Sequence, residues 1–351
     1  MAKEVFDMEK RKKFIKKPVK PIPIEPNASI SELVERMGDT AFQAKNLSHA
    51  ADIWEEMIRG ETTIFFGLAG AMIPAGMREL MVFLIKNRYI DCLVSTGANL
   101  FHDIHETLGW KHWQGSHMVN DKDLRSAGVD RIYDVFAIEE EFNSSDEYIY
   151  NFSYTLEERP YTTREFFYLM GKDLARRTKR DGILTAAYKA GVHVYCPALG
   201  DSSIGIALAL RDGENNFMFD IIADVKETAY LTARAKNSGI VFIGGGVPKN
   251  FIQQSEVTAN MMCKRTPGHK YALQITTDSP HWGGLSGCTF EEAQSWGKIA
   301  RRSKRVTVNC ESTIALPLIV SALSQRLKGF KRKLPDLSVK GAQKVRKRIW
   351  D

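Results

Sequence analysis

Lys298 is the residue whose setting suggests covalent chemistry. Thr289 and Glu292 have capping-box spacing, and Ala293, Trp296, Gly297 and Ala300 then recur on one face of a predicted helix over 291–300. Lys298 follows that stripe directly. A lysine becomes a usable nucleophile when desolvation makes its neutral amine available to attack an imine or carbonyl. A neighbouring indole would supply the desolvation and could hold a cationic substrate over its ring. Spacing alone also fits a surface lysine closing a helix, where a cation suits the dipole, and that is the commoner case.

A second group is made of small residues. Gly67-Leu68-Ala69-Gly70-Ala71, Thr96-Gly97-Ala98-Asn99, Gly244-Gly245-Gly246 and Thr276-Thr277-Asp278 each end a short apolar run. Small side chains let a diphosphate approach backbone N–H groups at helix N-termini. Tight turns explain glycine at any single one of these places. Four such loops on one sheet edge favour a nucleotide, although none has the GxGxxG spacing. Asp201 and Glu311 also follow strands, where a carboxylate either accepts from ribose hydroxyls or caps the next helix.

Other chemistry is less supported. His102, His105, Glu106, His112 and His117 fall close together, as a metal-dependent hydrolase could require. No second acidic motif of clear spacing accompanies them, so core and surface histidines are expected. The net charge of +7 comes from Lys3, Lys10, Arg11, Lys12, Lys13, Lys16, Lys17 and Lys20 at one end. At the other end it comes from Arg326, Lys328, Lys331, Arg332, Lys333, Lys340, Lys344, Arg346, Lys347 and Arg348. Basic ends could attract nucleic acid, but that reading leaves the glycine loops and Lys298 unexplained. The five cysteines, Cys92, Cys196, Cys263, Cys288 and Cys310, are scattered and match no zinc or redox spacing. Reduced thiols, no signal peptide and no apolar run able to span a bilayer predict a soluble, cytoplasmic chain.

Of the 351 residues, 44% are hydrophobic and 26% charged, enough for a sizeable core. Residues 1–27 read as a basic, proline-punctuated flexible arm and 329–351 as a basic, mobile tail. Between them, Ser29 and Glu32 should open a helix, with more helix over 53–59. Strands are expected at 63–66, 92–96, 193–196, 240–243, 271–275 and 306–308. Helices are expected at 74–86, 101–108, 163–178, 183–190, 223–236, from about 248, and at 313–327. This alternation predicts a single large α/β domain over 28–328: a Rossmann-like, doubly wound parallel sheet with helices on both faces.

The segment Ser295-Trp296-Gly297-Lys298-Ile299, with Glu292 before it, resembles the signature of the deoxyhypusine synthase family. Cys196-Pro197-Ala198-Leu199 with Asp201, Gly244-Gly245-Gly246-Val247 with Lys249, and Pro317-Leu318-Ile319-Val320 fit in order and spacing. So do Phe66-Gly67-Leu68 through Gly76 and the Thr96-Gly97 loop, over about residues 60–325. The resemblance implies an NAD-dependent aminobutyl transferase acting on a polyamine such as spermidine. Lys298 would carry the aminobutyl group as an imine and pass it to an acceptor amine. Trp296, Glu292 and Asn250 would meet the substrate. Gly70, Thr96, Gly97, Asp201, Gly245, Thr277 and Glu311 would meet NAD, with Ala71, Asp278 and Ser312 beside them. A homotetramer with shared active sites is also implied.

The sequence departs from the family at the amine-recognition positions. Ile206 and Leu285 stand where the family places substrate aspartates, Asn250 where it places a histidine, and Phe101 and His102 where it places paired glutamates. Each missing carboxylate removes a charge-assisted contact worth about 1.5–3 kcal/mol. A homospermidine synthase, or another polyamine-modifying enzyme with a free diamine as acceptor, therefore stands beside transfer to a protein lysine.

Overall fold

Runs of apolar and β-branched residues buried on both sides can only lie inside a sheet covered on two faces. The computed structural model, which describes residues 7–212, 216–262 and 266–342, shows such a sheet. Its strands are β1 (Thr62–Leu68), β2 (Cys92–Ser95), β3 (His193–Tyr195), β4 (Asn237–Ile243), β5 (His269–Thr276) and β6 (Ile299–Asn309). All neighbours pair in parallel, in the order β6-β5-β4-β1-β2-β3. Read from the β3 edge this is 3-2-1-4-5-6, the doubly wound order of dinucleotide-binding sheets. Strand order reverses between β1 and β4, so the loops leaving those strands flank a crevice.

Alternate side chains feed two cores. Ile64, Phe66, Leu68, Val241, Ile243, Leu273 and Ile275 face one, with Trp54 of the helix Phe42–Arg59 and Leu316 and Ile319 of the helix Ser312–Arg326. Phe65, Cys92, Val94, Ile240, Phe242 and Ala272 face the other, with Leu231 of Ile221–Arg234 and Ile252 of Gly246–Met262. The expected capping box at Ser29 and Glu32 is present, opening Ile30–Met37.

Two elements differ from expectation. The helix expected over 291–300 ends at Ser295, because Gly297 turns left-handed (φ +73°) and Ile299 pairs with His269 as β6 begins. Lys298 therefore sits at the entrance of a strand. The helix expected from Pro74 opens with a wide turn, Ile73–Met77, containing Gly76 at φ +85°, before Arg78–Lys86. Strands of two to four residues, Trp113–Gln114, Val129–Ile132 and Val135–Ile138, form a small antiparallel sheet that the sequence did not signal.

The basic segment after residue 328 is docked as far as Ala342. Arg332 donates to both carboxylate oxygens of Asp91, to Thr62 O at 2.6 Å and to Arg88 O. Leu337 and Val339 pack on the second core, and Tyr230 Oη donates to Lys340 O. Lys3, Cys263, Lys344, Arg346, Lys347 and Arg348 lie outside the described residues.

A buried carboxyl ties the end of β3 to the helices beside it. Asp224 accepts from Thr163 N and Oγ1, and Thr163 Oγ1 accepts from Cys196 N. Burial pushes Asp224 up to about 7, against hydrogen bonds from Thr163 that favour its charged form. Its folded value lies above its unfolded one, so its contribution is most favourable below the unfolded value. That contribution is lost as pH rises through about 7. Asp224→Asn keeps an acceptor for Thr163 and is expected to flatten the fall in urea midpoint between about pH 4 and 7. An unchanged slope would assign the dependence to other groups.

Candidate active site

Lys298 is only 8% exposed. Its Nζ makes a long approach of 3.5 Å to Asn250 Oδ1 and stands 5.5 Å from the Trp296 ring centroid. Asn250 lies near the start of Gly246–Met262, just past the glycine turn that ends β4. The lysine thus enters at the amino end of β6, yet its amine reaches the helix that starts at the carboxyl end of β4. Trp296 itself is 66% exposed, so part of its ring is open to solvent.

A second lysine organises this corner. Lys249 is fully buried, and its Nζ donates to Gln274 Oε1 (3.0 Å), Ser286 O (3.3 Å) and Cys288 O (2.6 Å). Gln274 Nε2 donates to Gly244 O and Ser286 O, while Gly246 N donates to Ser286 Oγ. Together these bonds pin residues 286–288 onto the glycine turn. A Cβ on Gly245 would lie 2.5 Å from Ser286 Cα, so the glycine is required for that approach. Burial lowers Lys249 to about 8 and nearby Lys298 acts in the same direction, while Cys288, Glu292 and Asp278 oppose it. Glu292 is exposed, and its backbone N–H donates to the capping Thr289.

The expected cofactor residues gather at the carboxyl ends of the strands. Gly70 (φ +78°) follows β1, and Gly244 and Gly246 (φ +65° and +58°) follow β4. Asn99 joins two of the loops, its amide nitrogen donating to Gly70 O at 2.7 Å and to Thr96 Oγ1 at 3.0 Å. Thr96 is the N-cap of Gly97–Thr107. Ala71 and Glu311 line one cleft with Gly76, Glu106, His112 and Thr313. Glu311 caps Ser312–Arg326; burial would raise its carboxyl, but hydrogen bonds from Thr313 outweigh that and lower it. Ser312 is half-buried in the first turn, and Asp201, Thr277 and Asp278 are exposed on their loops.

Gly97 has a packing reason of its own. A Cβ there would lie 2.2 Å from Ser202 Oγ and 2.5 Å from Ser202 Cβ. Gly97→Ala is expected to cost about 1–3 kcal/mol of unfolding free energy. Adding Ser202→Gly should recover most of the loss; no recovery would place the strain elsewhere.

The histidines form a network of their own. His112 Nδ1 lies 2.8 Å from Glu106 Oε1 and its Nε2 lies 2.9 Å from His102 Nδ1, while His105 Nδ1 meets Ser145 Oγ at 3.0 Å. Burial lowers His102 to about 3 and His105 to about 4, with neighbouring imidazoles adding to the effect. Among the described residues no three His, Cys, Asp or Glu side chains are placed to hold a metal, and no helix is long and apolar enough to cross a membrane. Sequence reasoning missed the roles of Asn99, Gln274 and the His102–His112–Glu106 chain. Lys249 had been noted only as part of a motif.

Comparison with known proteins places the chain in a family. The deoxyhypusine synthase family model matches residues 32–323. "Probable deoxyhypusine synthase 2" of Methanosarcina mazei is 49% identical over 333 residues, covering 94% of this chain and 96% of that one. The "Deoxyhypusine synthase-like protein" of Chlorobaculum tepidum is 37% identical over 313 residues, covering 87% and 89%. A crystal structure from Entamoeba histolytica, provisionally assigned as a deoxyhypusine synthase, superposes with a TM-score of 0.61 at 20% identity. It covers 87% of this chain and 96% of that one, and at this identity shows the shared fold. By sequence along most of its length, the chain belongs to the deoxyhypusine synthase family.

Proposed function

We propose that this protein is an NAD-dependent aminobutyl transferase in which Lys298 carries the transferred group. The observation that carries the reading is a buried lysine amine beside Asn250, on the helix that leaves the glycine turn of β4. The residues present fit the cofactor. Left-handed glycines and helix N-termini flank the strand-order reversal, where backbone N–H groups would meet a diphosphate, with Asp201 and Glu311 as ribose acceptors. Gly70, Ala71, Thr96, Gly97, Gly245, Thr277, Asp278 and Ser312 would complete the cofactor site. NAD, when bound, supplies hydride acceptance and return.

The remaining steps belong to this chain. The neutral Lys298 amine attacks the imine carbon of the oxidised donor; the bond from that carbon to the donor nitrogen breaks, the two Nζ hydrogens pass to that nitrogen, which leaves as a free amine, and the aminobutyl group remains as an imine on Nζ. An acceptor amine, on a protein lysine or a free diamine, then displaces Nζ. The exposed part of the Trp296 ring attracts the ammonium end of the polyamine, with Glu292 and Asn250 as polar contacts. Ile206 and Leu285, 61% and 37% exposed, offer apolar surface where the family pattern has carboxylates. We assign the choice of amine to these positions, and the working form to a homotetramer with shared sites in the cytoplasm.

Incubation with NAD and a panel of di- and triamines, products read by mass, tests the reading. An NAD-dependent product extended by an aminobutyl group is expected from at least one donor–acceptor pair. No such product from any pair would reject it.

A further inference from the structure

The cleft lined by Ala71 and Glu311 has a second wall that the lysine chemistry does not use. Its volume is about 870 Å³, within the range of nucleotide-sized sites, and the small antiparallel sheet lends it Trp113, Gln114, Tyr133 and Asp134. Ile132 pairs with Val135, so Tyr133 and Asp134 alone reverse the chain between those strands. Tyr133 has φ +55°. Two-residue turns favour glycine, asparagine or aspartate at positive φ, where a bulky side chain is strained.

Neighbouring bonds hold the turn in place. Arg131 Nη1 donates to Tyr133 O at 2.9 Å, and its Nε and Nη2 bind both carboxylate oxygens of Asp121. Gly115 N donates to Asp134 O at 2.8 Å. The Tyr133 side chain is 65% exposed, so no core packing offsets the strain. Strain kept without a packing gain points to a function for the side chain. His117 lies nearly parallel to the ring, at 13° and 5.0 Å between centroids. One face is taken, and a planar group entering the cleft would meet the other.

We propose that Tyr133 is the stacking platform for the adenine of the cofactor, with Glu311 holding the adjoining ribose. This rests on the NAD-dependent reading. Position selects the adenine end. The helices Gly97–Thr107 and Ser312–Arg326, which reach the cleft through Glu106 and Thr313, pack on the first core. Gly246–Met262, which brings Asn250 to Lys298, packs on the second. The nicotinamide has to lie within reach of Lys298, so the cleft on the opposite face of the sheet receives the unreactive end of the dinucleotide. A base stacks on an aromatic ring through its π-face, and Gln114 and Asp134 in the same wall supply acceptors for the exocyclic amine.

Calorimetric titration of the full chain with NAD and with ADP-ribose, which lacks the nicotinamide, tests the platform. Tyr133→Phe keeps the ring and should bind both ligands as the parent does. Tyr133→Gly removes the ring but suits the positive φ; it should melt no lower than the parent, yet bind both ligands about ten-fold more weakly. Four results overturn the platform: unchanged affinity for either ligand in Tyr133→Gly, an equal loss in Tyr133→Phe, a lower melting temperature of Tyr133→Gly, or a parent that does not bind ADP-ribose. If the parent binds no NAD, the cofactor reading fails by itself, and ADP-ribose decides the platform separately. Weaker ADP-ribose binding by Tyr133→Gly alone then still supports it.

Discussion

Lys298→Arg is expected to remove transfer while leaving the fold and NAD binding intact. Arginine has nearly the length of lysine and still donates hydrogen bonds, so the approach to Asn250 and the ring of Trp296 can persist. A guanidinium stays protonated and cannot form the imine. The expected loss is on the order of 10⁴-fold or more in transfer rate, as when a covalent nucleophile is deleted. Borohydride trapping with labelled spermidine gives the direct reading: label at Lys298 in the parent and none in the variant. Label retained by the variant, or attached to another lysine such as Lys249, would move the covalent step away from residue 298.

The second large effect concerns stability and lies at the amino ends of β1 and β2. Asp91 is fully buried and accepts from both Arg332 terminal nitrogens, from Arg88 and from Ile64 N. The Arg332 side chain is 3% exposed. Arg332→Met leaves the carboxylate with its charge only partly compensated and frees the segment that follows. Breaking one partner of a buried pair costs about 3–5 kcal/mol. A urea unfolding midpoint should show that loss, and Asp91→Asn added to Arg332→Met should restore part of it by removing the stranded charge. A loss under about 1 kcal/mol would mean that the ion pair does not hold the segment.

These predictions differ in what made them visible. Lys298 stands in a local motif, so its importance could be read within a dozen residues. Arg332 looked like one more cation in a basic tail; only its contact with Asp91, 241 positions earlier, shows it to be structural. The same limit hid Lys249, whose partners are 25 to 39 residues away, and the His102–His112 pair, which a loop closes. The antiparallel strands at 113–138 escaped because two to four residues carry too little periodicity to separate strand from loop. The helix expected through residue 300 failed for a different reason. Ala293, Trp296 and Ala300 do have helical spacing, but a left-handed glycine and pairing of Ile299 with His269 override it.

Alternation of buried strands with amphipathic helices is a local property, so the sequence by itself determined the α/β class, most element positions and the family motif around Lys298. Strand order is not local. Tertiary structure decided that the loops after β1 and β4 meet across the reversal, and that Lys298, entering from the opposite end of the sheet, reaches the helix leaving that same crevice. It also decided which charges are buried, because ionic groups accept burial only with partners the fold brings from distant parts of the chain.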